Sequence, residues 1–245
     1  MKFAIAKEHR DFFQKKGMIE FEDLLSSDQL ALLNRTIDEA LLTRLHQPQG
    51  HLKFQLSEAL FLEGRDLWRS NEQLRKLVCQ PRFAEITSEL IEKKPLRLGY
   101  TQFFPSNYEV QYGREYKGIY RHFIQQNIDL QSVSCLENVA CGLMLCLGRN
   151  DPVKIEQPDF KEEDEKGIDV FPWQPGQVVY FQPEVPVDWQ KLSRHSGFRF
   201  HLIVFTEAYS HYLLRPEDPH THFLKHQGYI FNGKLVDRLH PIVYR

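Results

Sequence analysis

The sequence predicts an α+β chain that is helical up to about residue 95 and built of short antiparallel strands after it. Apolar residues recur at helical spacing through residues 27–45, which is the pattern of a helix with one buried face. From Leu96 the apolar residues alternate instead, and the run at 198–205 is rich in β-branched and aromatic side chains. Short strands separated by Pro and Gly turns indicate a sandwich or barrel.

The bulk composition fits one folded domain over residues 1–245, with helical support over 1–95 and a strand core over 96–245. Apolar residues make up 42% of the chain, which argues against disorder. The 31 Lys and Arg residues nearly balance the 33 Asp and Glu residues, so no overall positive field marks a nucleic-acid binder.

The sequence also predicts a cellular location. No apolar stretch approaches the roughly 20 residues that a membrane span needs, and charged residues from Lys7 onward interrupt any signal-peptide pattern. The four cysteines form no C-x-x-C pair, and Cys141 and Cys146 lie in an apolar run where we expect small buried side chains. A cytoplasmic protein with reduced thiols, and without a membrane partner, is therefore expected.

The first part divides into helices at its Gly, Ser and Pro residues. Gly17 is predicted to end the first helix, and Ser26 with Gln29 has the spacing of a capping box. Pro81 suits the first position of the last helix. The predicted elements are helices over 7–16, 27–45 and 81–92, an extended piece over 18–21, a loop over 46–55 and a helical zone over 64–79.

The second part is predicted to be mainly strands. The predicted strands cover 96–100, 138–147, 178–181 and 198–205. Asn232-Gly233 stands between two short apolar runs and is typical of a two-residue hairpin turn, so a last hairpin is predicted there. The acidic run at 160–166 is predicted to be a solvated loop.

Arg199 is the unusual residue of the strand at 198–205. In an alternating strand it shares one face with His201 and Ile203, and large apolar groups on both faces indicate that both are covered. An unpaired buried charge is very costly, and a carboxylate that accepts two hydrogen bonds is the natural partner of an arginine. We expect Arg199 to point into the barrel and to meet a carboxylate, either of the chain itself or of a ligand.

Two segments carry a resemblance to a known family. Pro175-Gly-Gln-Val-Val-Tyr-Phe181 and Gly197-Phe-Arg199 resemble the Pro-Gly-Asp strand and the strand with the cofactor-binding arginine in the phytanoyl-CoA dioxygenase-like branch of the Fe(II)/2-oxoglutarate-dependent oxygenases. The opening order of helix, Gly, short strand and long helix is also typical of that branch. The resemblance implies a double-stranded β helix (a jelly-roll, cupin-like fold) with N-terminal helices packed on one sheet, and Fe(II) and 2-oxoglutarate as cofactors.

The resemblance also implies that the iron site is degenerate. The family binds iron through His-x-Asp and a distal His, a triad that leaves positions open for oxygen chemistry. Counting along the sequence places the first pair at Gln125 and Asn127, and the distal ligand at Val187 or Asp188. Amides bind Fe(II) poorly compared with imidazole and carboxylate. No metal site is therefore predicted, and Arg199 remains as the candidate cofactor-binding residue.

The leading hypothesis is a divergent protein of the oxygenase fold with a degenerate metal site, which is not a standard hydroxylase and binds a small carboxylate or a protein partner. The second hypothesis is an active Fe(II)/2-oxoglutarate-dependent dioxygenase with unusual ligands. The substrate, the partner, the oligomeric state and enzymatic activity itself stay open at this point.

A histidine-rich stretch supports a third hypothesis. It contains His211, His220, His222 and His226, with Glu217 and Asp218 between them. These side-chain types bind metals, although their spacing matches no defined site, and ordinary surface use is the alternative. A metal-responsive DNA-binding regulator would also need a winged-helix half with a basic recognition helix, for which residues 71–92 offer two helices.

Overall fold

A computed structural model describes residues 5–106, 118–149, 169–195 and 197–245. The part before Pro95 is helical apart from one short strand. Its elements are α1 (Lys7–Lys16), β1 (Met18–Phe21), α2 (Ser27–Arg44), α3 (Ser57–Glu63), α4 (Glu72–Val78) and α5 (Pro81–Ile91), with 3₁₀ turns at Leu52–Phe54 and Leu67–Arg69.

Three predicted helix boundaries are confirmed. Gly17 adopts the left-handed conformation, with φ 76°, and its N–H donates to the carbonyl of Phe13 at the end of α1. At the start of α2, the Gln29 N–H donates to the Ser26 hydroxyl at 3.2 Å, and the Ser26 N–H donates to the Gln29 side chain at 3.0 Å. Pro81 is the first residue of α5. Each boundary follows from residues close in sequence, as capping does.

The helical zone predicted at 64–79 is broken into separate pieces. Asp66 has a positive φ of 51°, which no helix interior allows, and a 3₁₀ turn follows it. α4 then begins after Asn71, whose side chain accepts the N–H of Leu74. α3 lies between the predicted loop and this zone and was not predicted from the sequence.

The part after Pro95 contains most of the strands. Its elements are β2 (Leu96–Phe104), α6 (Ile119–Phe123), β3 (Asn127–Asp129), β4 (Val139–Arg149), β5 (Val178–Phe181), β6 (Pro186–Asp188), α7 (Lys191–Arg194), β7 (Phe198–Glu207) and β8 (Ile242–Tyr244), with a 3₁₀ helix at Phe223–Gln227. The four strands predicted between 96 and 205 are confirmed as β2, β4, β5 and β7. The acidic run at 160–166 lies outside the described residues.

The strands form one large antiparallel sheet and one small ribbon. The large sheet has the order β1-β5-β4-β7-β2-β8, and β4 and β7 pair along most of their length. The ribbon consists of β3 and β6, which are also antiparallel. With helices in the first part and antiparallel strands in the second, the predicted α+β class is confirmed.

Two apolar cores lie on the two sides of the large sheet. The helix-side core joins α1, α2, α4 and α5 to sheet residues such as Leu143 and Ile203. The second core lies between the large sheet and the ribbon, a space called the interior below, and it includes Leu202 of the sheet and Val187 of the ribbon. The prediction that the helices at 27–45 and 81–92 pack on one outer face is confirmed, because α2 and α5 both contact β4.

The hairpin predicted around Asn232-Gly233 is wrong. A turn does form, since Asn232 has a positive φ of 64° and the Gly233 N–H donates to the carbonyl of Ile230. The residues after the turn pair with the segment that follows β7 instead of with 229–231. The Leu235 N–H donates to Ser210, and Lys234 forms a bridge with His211. The observed turn is therefore centred on Phe231 and Asn232, one residue before the predicted position, and its partner segment lies elsewhere in the chain.

The described cysteines are all unpaired. Cys141 and Cys146 are fully buried in β4, as predicted for small apolar side chains. Within the described ranges, no helix combines the length and the apolar character required for crossing a membrane.

Candidate functional site

The ribbon brings two of the predicted metal-ligand positions together. β3 and β6 pair in a register that places Asn127 opposite Asp188. Gln125 lies just before β3, where its carbonyl accepts the side-chain amide of Gln190 at 3.1 Å. The positions counted from the sequence therefore meet at one end of the ribbon.

The side chains at these positions lie on the outer side of the ribbon. Gln125 and Asn127 are exposed and Asp188 is partly exposed. The Asp188 carboxylate accepts the backbone N–H of Gln190 at 3.1 Å and the guanidinium of Arg194 at 3.4 Å. The carboxylate already has protein donors and is oriented away from the interior.

The inner side of the ribbon is apolar. Val187, the alternative distal position, is completely buried and pairs with Ile128. Trp189 follows it into the interior, and its ring centroid lies 4.8 Å from that of Phe123 and 5.5 Å from that of Phe104. Aromatic packing thus fills the space directly behind the predicted ligand positions.

Arg199 does not point into the interior, so the predicted direction is wrong. Phe200 and Leu202 of β7 belong to the interior core, which leaves Arg199 on the opposite, helix-covered side of the sheet. There its guanidinium pairs with the carboxylate of Asp38 on α2 and lies 5.0 Å from the ring centroid of Phe103. The expected carboxylate partner exists, and it is a side chain of the chain itself.

A cluster of buried polar and charged residues lies in the interior, and it was not predicted from the sequence. Arg65, just after α3, pairs with Asp218 at 3.4 Å, and its guanidinium carbon lies 3.3 Å from the ring centroid of Tyr100. The Asp218 carboxylate also accepts the backbone N–H groups of Cys135 at 2.7 Å and of His220 at 2.8 Å. We call these five residues the interior cluster.

The electrostatics of the interior cluster favour a charged pair beside a neutral imidazole. Burial alone would lower the pKa of Arg65, but the Asp218 carboxylate, together with smaller contributions from Tyr100, Cys135 and Asp66, raises the pKa above its usual value. Burial, with a further contribution from Arg65, lowers the pKa of His220 to about 4. Burial raises the pKa of Tyr100. At neutral pH, Arg65 is charged, and His220 and Tyr100 are uncharged.

A cavity of about 20 Å³ adjoins the interior cluster, and two polar atoms of its lining residues have no hydrogen-bond partner within the part of the chain that the structure describes. One is the side-chain oxygen of Gln102, whose amide nitrogen donates to the carbonyls of Phe61 and Phe103 at 2.8 and 2.9 Å. A flipped amide would place its oxygen against both carbonyl oxygens, so the orientation of this amide is fixed. The other is Nε2 of His220. The remaining wall is mainly apolar and includes Phe123 and Trp189.

The histidine-rich stretch is divided by the structure. His220 and Asp218 are buried in the interior cluster, whereas His222 and His226 are exposed. His211 pairs with Glu137 at 2.7 Å. Among the described residues, no group of three or more His, Cys, Asp or Glu side chains is arranged to hold a metal ion.

The two helices considered for DNA binding are α4 and α5, and both are packed into the helix-side core. α5 contacts α1, β4 and β8, and Phe83, Ile86 and Leu90 are fully buried. These two helices therefore do not form the separate winged-helix half that the third hypothesis requires, because both belong to the packed helix-side core.

Comparison with known proteins gives matches of fold only. No protein-family model and no curated protein sequence matches this chain. Solved structures do match. The non-heme α-ketoglutarate-dependent carbocyclase SnoK from nogalamycin biosynthesis superposes with a TM-score of 0.59 at 15% identity, over 97% of this chain and 96% of SnoK.

Two further structures give similar results. The epimerase SnoN in complex with Fe³⁺, α-ketoglutarate and nogalamycin RO has a TM-score of 0.55 at 15% identity, over 96% of each chain. CytC3 with Fe(II) and α-ketoglutarate has a TM-score of 0.52 at 12% identity, over 88% of this chain and 82% of CytC3. The chain therefore has the fold of the non-heme, α-ketoglutarate-dependent enzymes.

Proposed function

We propose that this chain is a double-stranded β helix of the phytanoyl-CoA dioxygenase-like branch, that its iron site is degenerate, and that it acts by binding and not by hydroxylation. The observation that carries the proposal is the difference between the two faces of the ribbon. Val187 and Trp189 face an apolar interior, while Asn127 and Asp188 face outward. An oxygenase needs its metal ligands beside a space that admits oxygen and substrate.

The donor groups at the counted positions do not fit Fe(II). Gln125 and Asn127 supply amides, and Asp188 supplies one carboxylate that already accepts two hydrogen bonds. Fe(II) in such enzymes is held by two imidazoles and a carboxylate with open positions. If the distal ligand position is Val187 and not Asp188, its side chain supplies no ligand atom.

The environment of the arginines also argues against 2-oxoglutarate as a cofactor. Arg199 is paired with Asp38 on the helix side, and Arg65 is paired with Asp218 in the interior. The cavity next to Arg65 measures about 20 Å³, which is room for about one water molecule and not for a five-carbon diacid. Binding of a small carboxylate at another place on the chain, or of a protein partner, remains as the proposed activity.

Calorimetry and turnover test the proposal together. We expect no sub-micromolar binding of Mn(II), used as a stable substitute for Fe(II), and no Fe(II)-dependent decarboxylation of 2-oxoglutarate. Sub-micromolar Mn(II) binding that is abolished by Gln125→Ala together with Asp188→Ala would overturn the proposal. Glu184→Ala, at an exposed position near β6, is the matched control and should leave any binding unchanged.

A further inference from the structure

Three short segments form a small antiparallel sheet just beyond the end of β7. The Glu137 N–H donates to the carbonyl of His211 at 2.9 Å, and the Leu235 N–H donates to the carbonyl of Ser210 at 2.9 Å. A bridge joins His211 to Lys234. Side chains that lie opposite each other in such a sheet share one side, so Glu137, His211 and Lys234 form a row across the three segments.

The two sides of this small sheet differ in exposure. Ser210, Tyr212 and Leu235 face inward and are buried. On the other side, the next positions along the middle and last segments are Tyr209, which is 80% exposed, and Val236, which is also exposed. We call this second side the outer face, and its residues are Glu137, Tyr209, His211, Lys234 and Val236.

Exposed apolar side chains gather around the outer face. Ile230 is 76% exposed, and its Cγ1 atom lies 3.5 Å from the position that a Cβ atom of Gly233 would occupy, so it adjoins the last segment of the small sheet. Tyr209 and Ile230 are the two most exposed large apolar side chains among the described residues. Single exposed apolar residues are normal, whereas an adjoining group of them indicates an interaction site.

The row of polar side chains carries charges of both signs in a fixed order. His211 Nδ1 lies 2.7 Å from a carboxylate oxygen of Glu137, whose side chain stays partly exposed. Lys234 is exposed and forms no ion pair within the part of the chain that the structure describes. Two strand spacings separate the ends of the row, which is about 10 Å. A complementary partner therefore presents a cation and an anion at this spacing, in the opposite order.

We infer that the outer face is the surface on which a second copy of this chain docks. A two-fold axis that lies in the contact plane, parallel to the middle segment, reverses the row, so Lys234 of each copy meets Glu137 of the other. The same rotation brings the Tyr209 rings of the two copies together near the axis. A partner with charges of one sign would match only one end of the row. This inference does not depend on the iron site.

Sedimentation equilibrium of the full chain tests the association. We expect a reversible monomer–dimer equilibrium with a dissociation constant in the micromolar range, as for a small interface with few anchoring residues. Tyr209→Asp should raise this constant at least about tenfold, because it removes a central aromatic anchor. Phe54→Asp is the matched control, since Phe54 is another exposed aromatic residue but lies on the 3₁₀ turn before α3.

Two charge-reversed variants test how the copies meet. Lys234→Glu alone and Glu137→Lys alone each create two contacts between like charges, and each should raise the dissociation constant at least about tenfold. In an equimolar mixture of the two variants, both contacts of the mixed dimer join opposite charges again. The mixture should therefore associate within about threefold of the wild type. Lys76→Glu, at an exposed lysine of α4, is the control and should change nothing.

A wild type that remains monomeric at about 1 mM would overturn the inference. An unchanged dissociation constant in Tyr209→Asp, equal weakening in Phe54→Asp, or a mixture that associates no better than its separate variants would also overturn it. Circular dichroism verifies that each variant is folded. Should Tyr209→Asp not fold, Val236→Asp replaces it as the variant of the apolar group.

Discussion

The guanidinium carbon of Arg65 lies 3.3 Å from the ring centroid of Tyr100. The same guanidinium is paired with Asp218, a residue 153 positions later in the chain. The side chains of both charged residues are almost completely buried, with 6% and 1% of their surface exposed. The cation is thus stabilised by a carboxylate on one side and by an aromatic face on the other.

Asp218→Ala should strongly destabilise the fold. Removing one member of a buried ion pair leaves the other charge without compensation, which costs about 3–5 kcal/mol. Urea unfolding at neutral pH measures the loss. Glu217→Ala changes the neighbouring exposed carboxylate and should have almost no effect. Equal losses in the two variants would show that Arg65 does not depend on Asp218.

The pair of Arg199 and Asp38 should respond asymmetrically to mutation. The Arg199 side chain is 9% exposed, whereas Asp38 is 38% exposed and keeps access to water. Asp38→Ala leaves a buried cation and should cost about 1–3 kcal/mol, while Arg199→Leu should cost less because Asp38 can be hydrated. Urea unfolding of both variants tests the order.

Melting experiments with 2-oxoglutarate complement that prediction. Because Arg199 is already paired on the helix side, millimolar 2-oxoglutarate should leave the melting temperature of the wild type and of Arg199→Leu unchanged. A rise in the wild type alone would indicate that Arg199 binds the diacid after all.

The free energy of unfolding should fall as the solution becomes acidic. Burial lowers the pKa values of His201 and His220 to about 4, below the value of about 6.5 for a free histidine. Between these values the unfolded chain binds protons that the folded chain does not, so stability is lost as pH falls through this range. Each histidine contributes about 2 kcal/mol of this loss at about pH 5.

Urea unfolding at about pH 7.5 and about pH 5 tests this dependence. His201→Leu should remove the contribution of one histidine and make the two stabilities more similar. His226→Leu, at an exposed position, is the control. A pH dependence that is the same in His201→Leu and in the wild type would contradict the prediction.

Ser26→Ala should lower the free energy of unfolding by about 1 kcal/mol, because it removes the side chain that caps α2. Ser27→Ala replaces the next serine, which is exposed and is the first residue of the helix, and should have a much smaller effect. Thermal or urea unfolding of the two variants checks the difference.

The features that the sequence predicted correctly depend on neighbouring residues. The capping box of α2 involves residues three positions apart, and the end of α1 depends on the φ angle of Gly17. The orientation of Arg199 could not be predicted in the same way. Both faces of β7 carry large apolar side chains, so alternation separates the two faces without saying which one meets the helices. The sequence signal for its partner was a single Asp beside the apolar stripe of α2.

The interior cluster was missed for a different reason. Arg65 lies in a zone predicted as helical, Tyr100 ends a predicted strand, and His220 belongs to the histidine-rich stretch. Their meeting depends on contacts between distant segments, which local patterns do not encode. A polar atom in that space is costly to leave unpaired because water is excluded from it. This exclusion of water is a property of the folded chain and has no local sequence signal.

The position of β1 has a consequence for how the chain folds during its synthesis. Met18–Phe21 pairs with Val178–Phe181, so the first strand leaves the ribosome long before its partner exists. The helices that follow it likewise have no sheet to cover until β4 and β7 have been made. The large sheet cannot be assembled in chain order, and folding must wait for most of the chain, as is typical of folds dominated by contacts between distant residues.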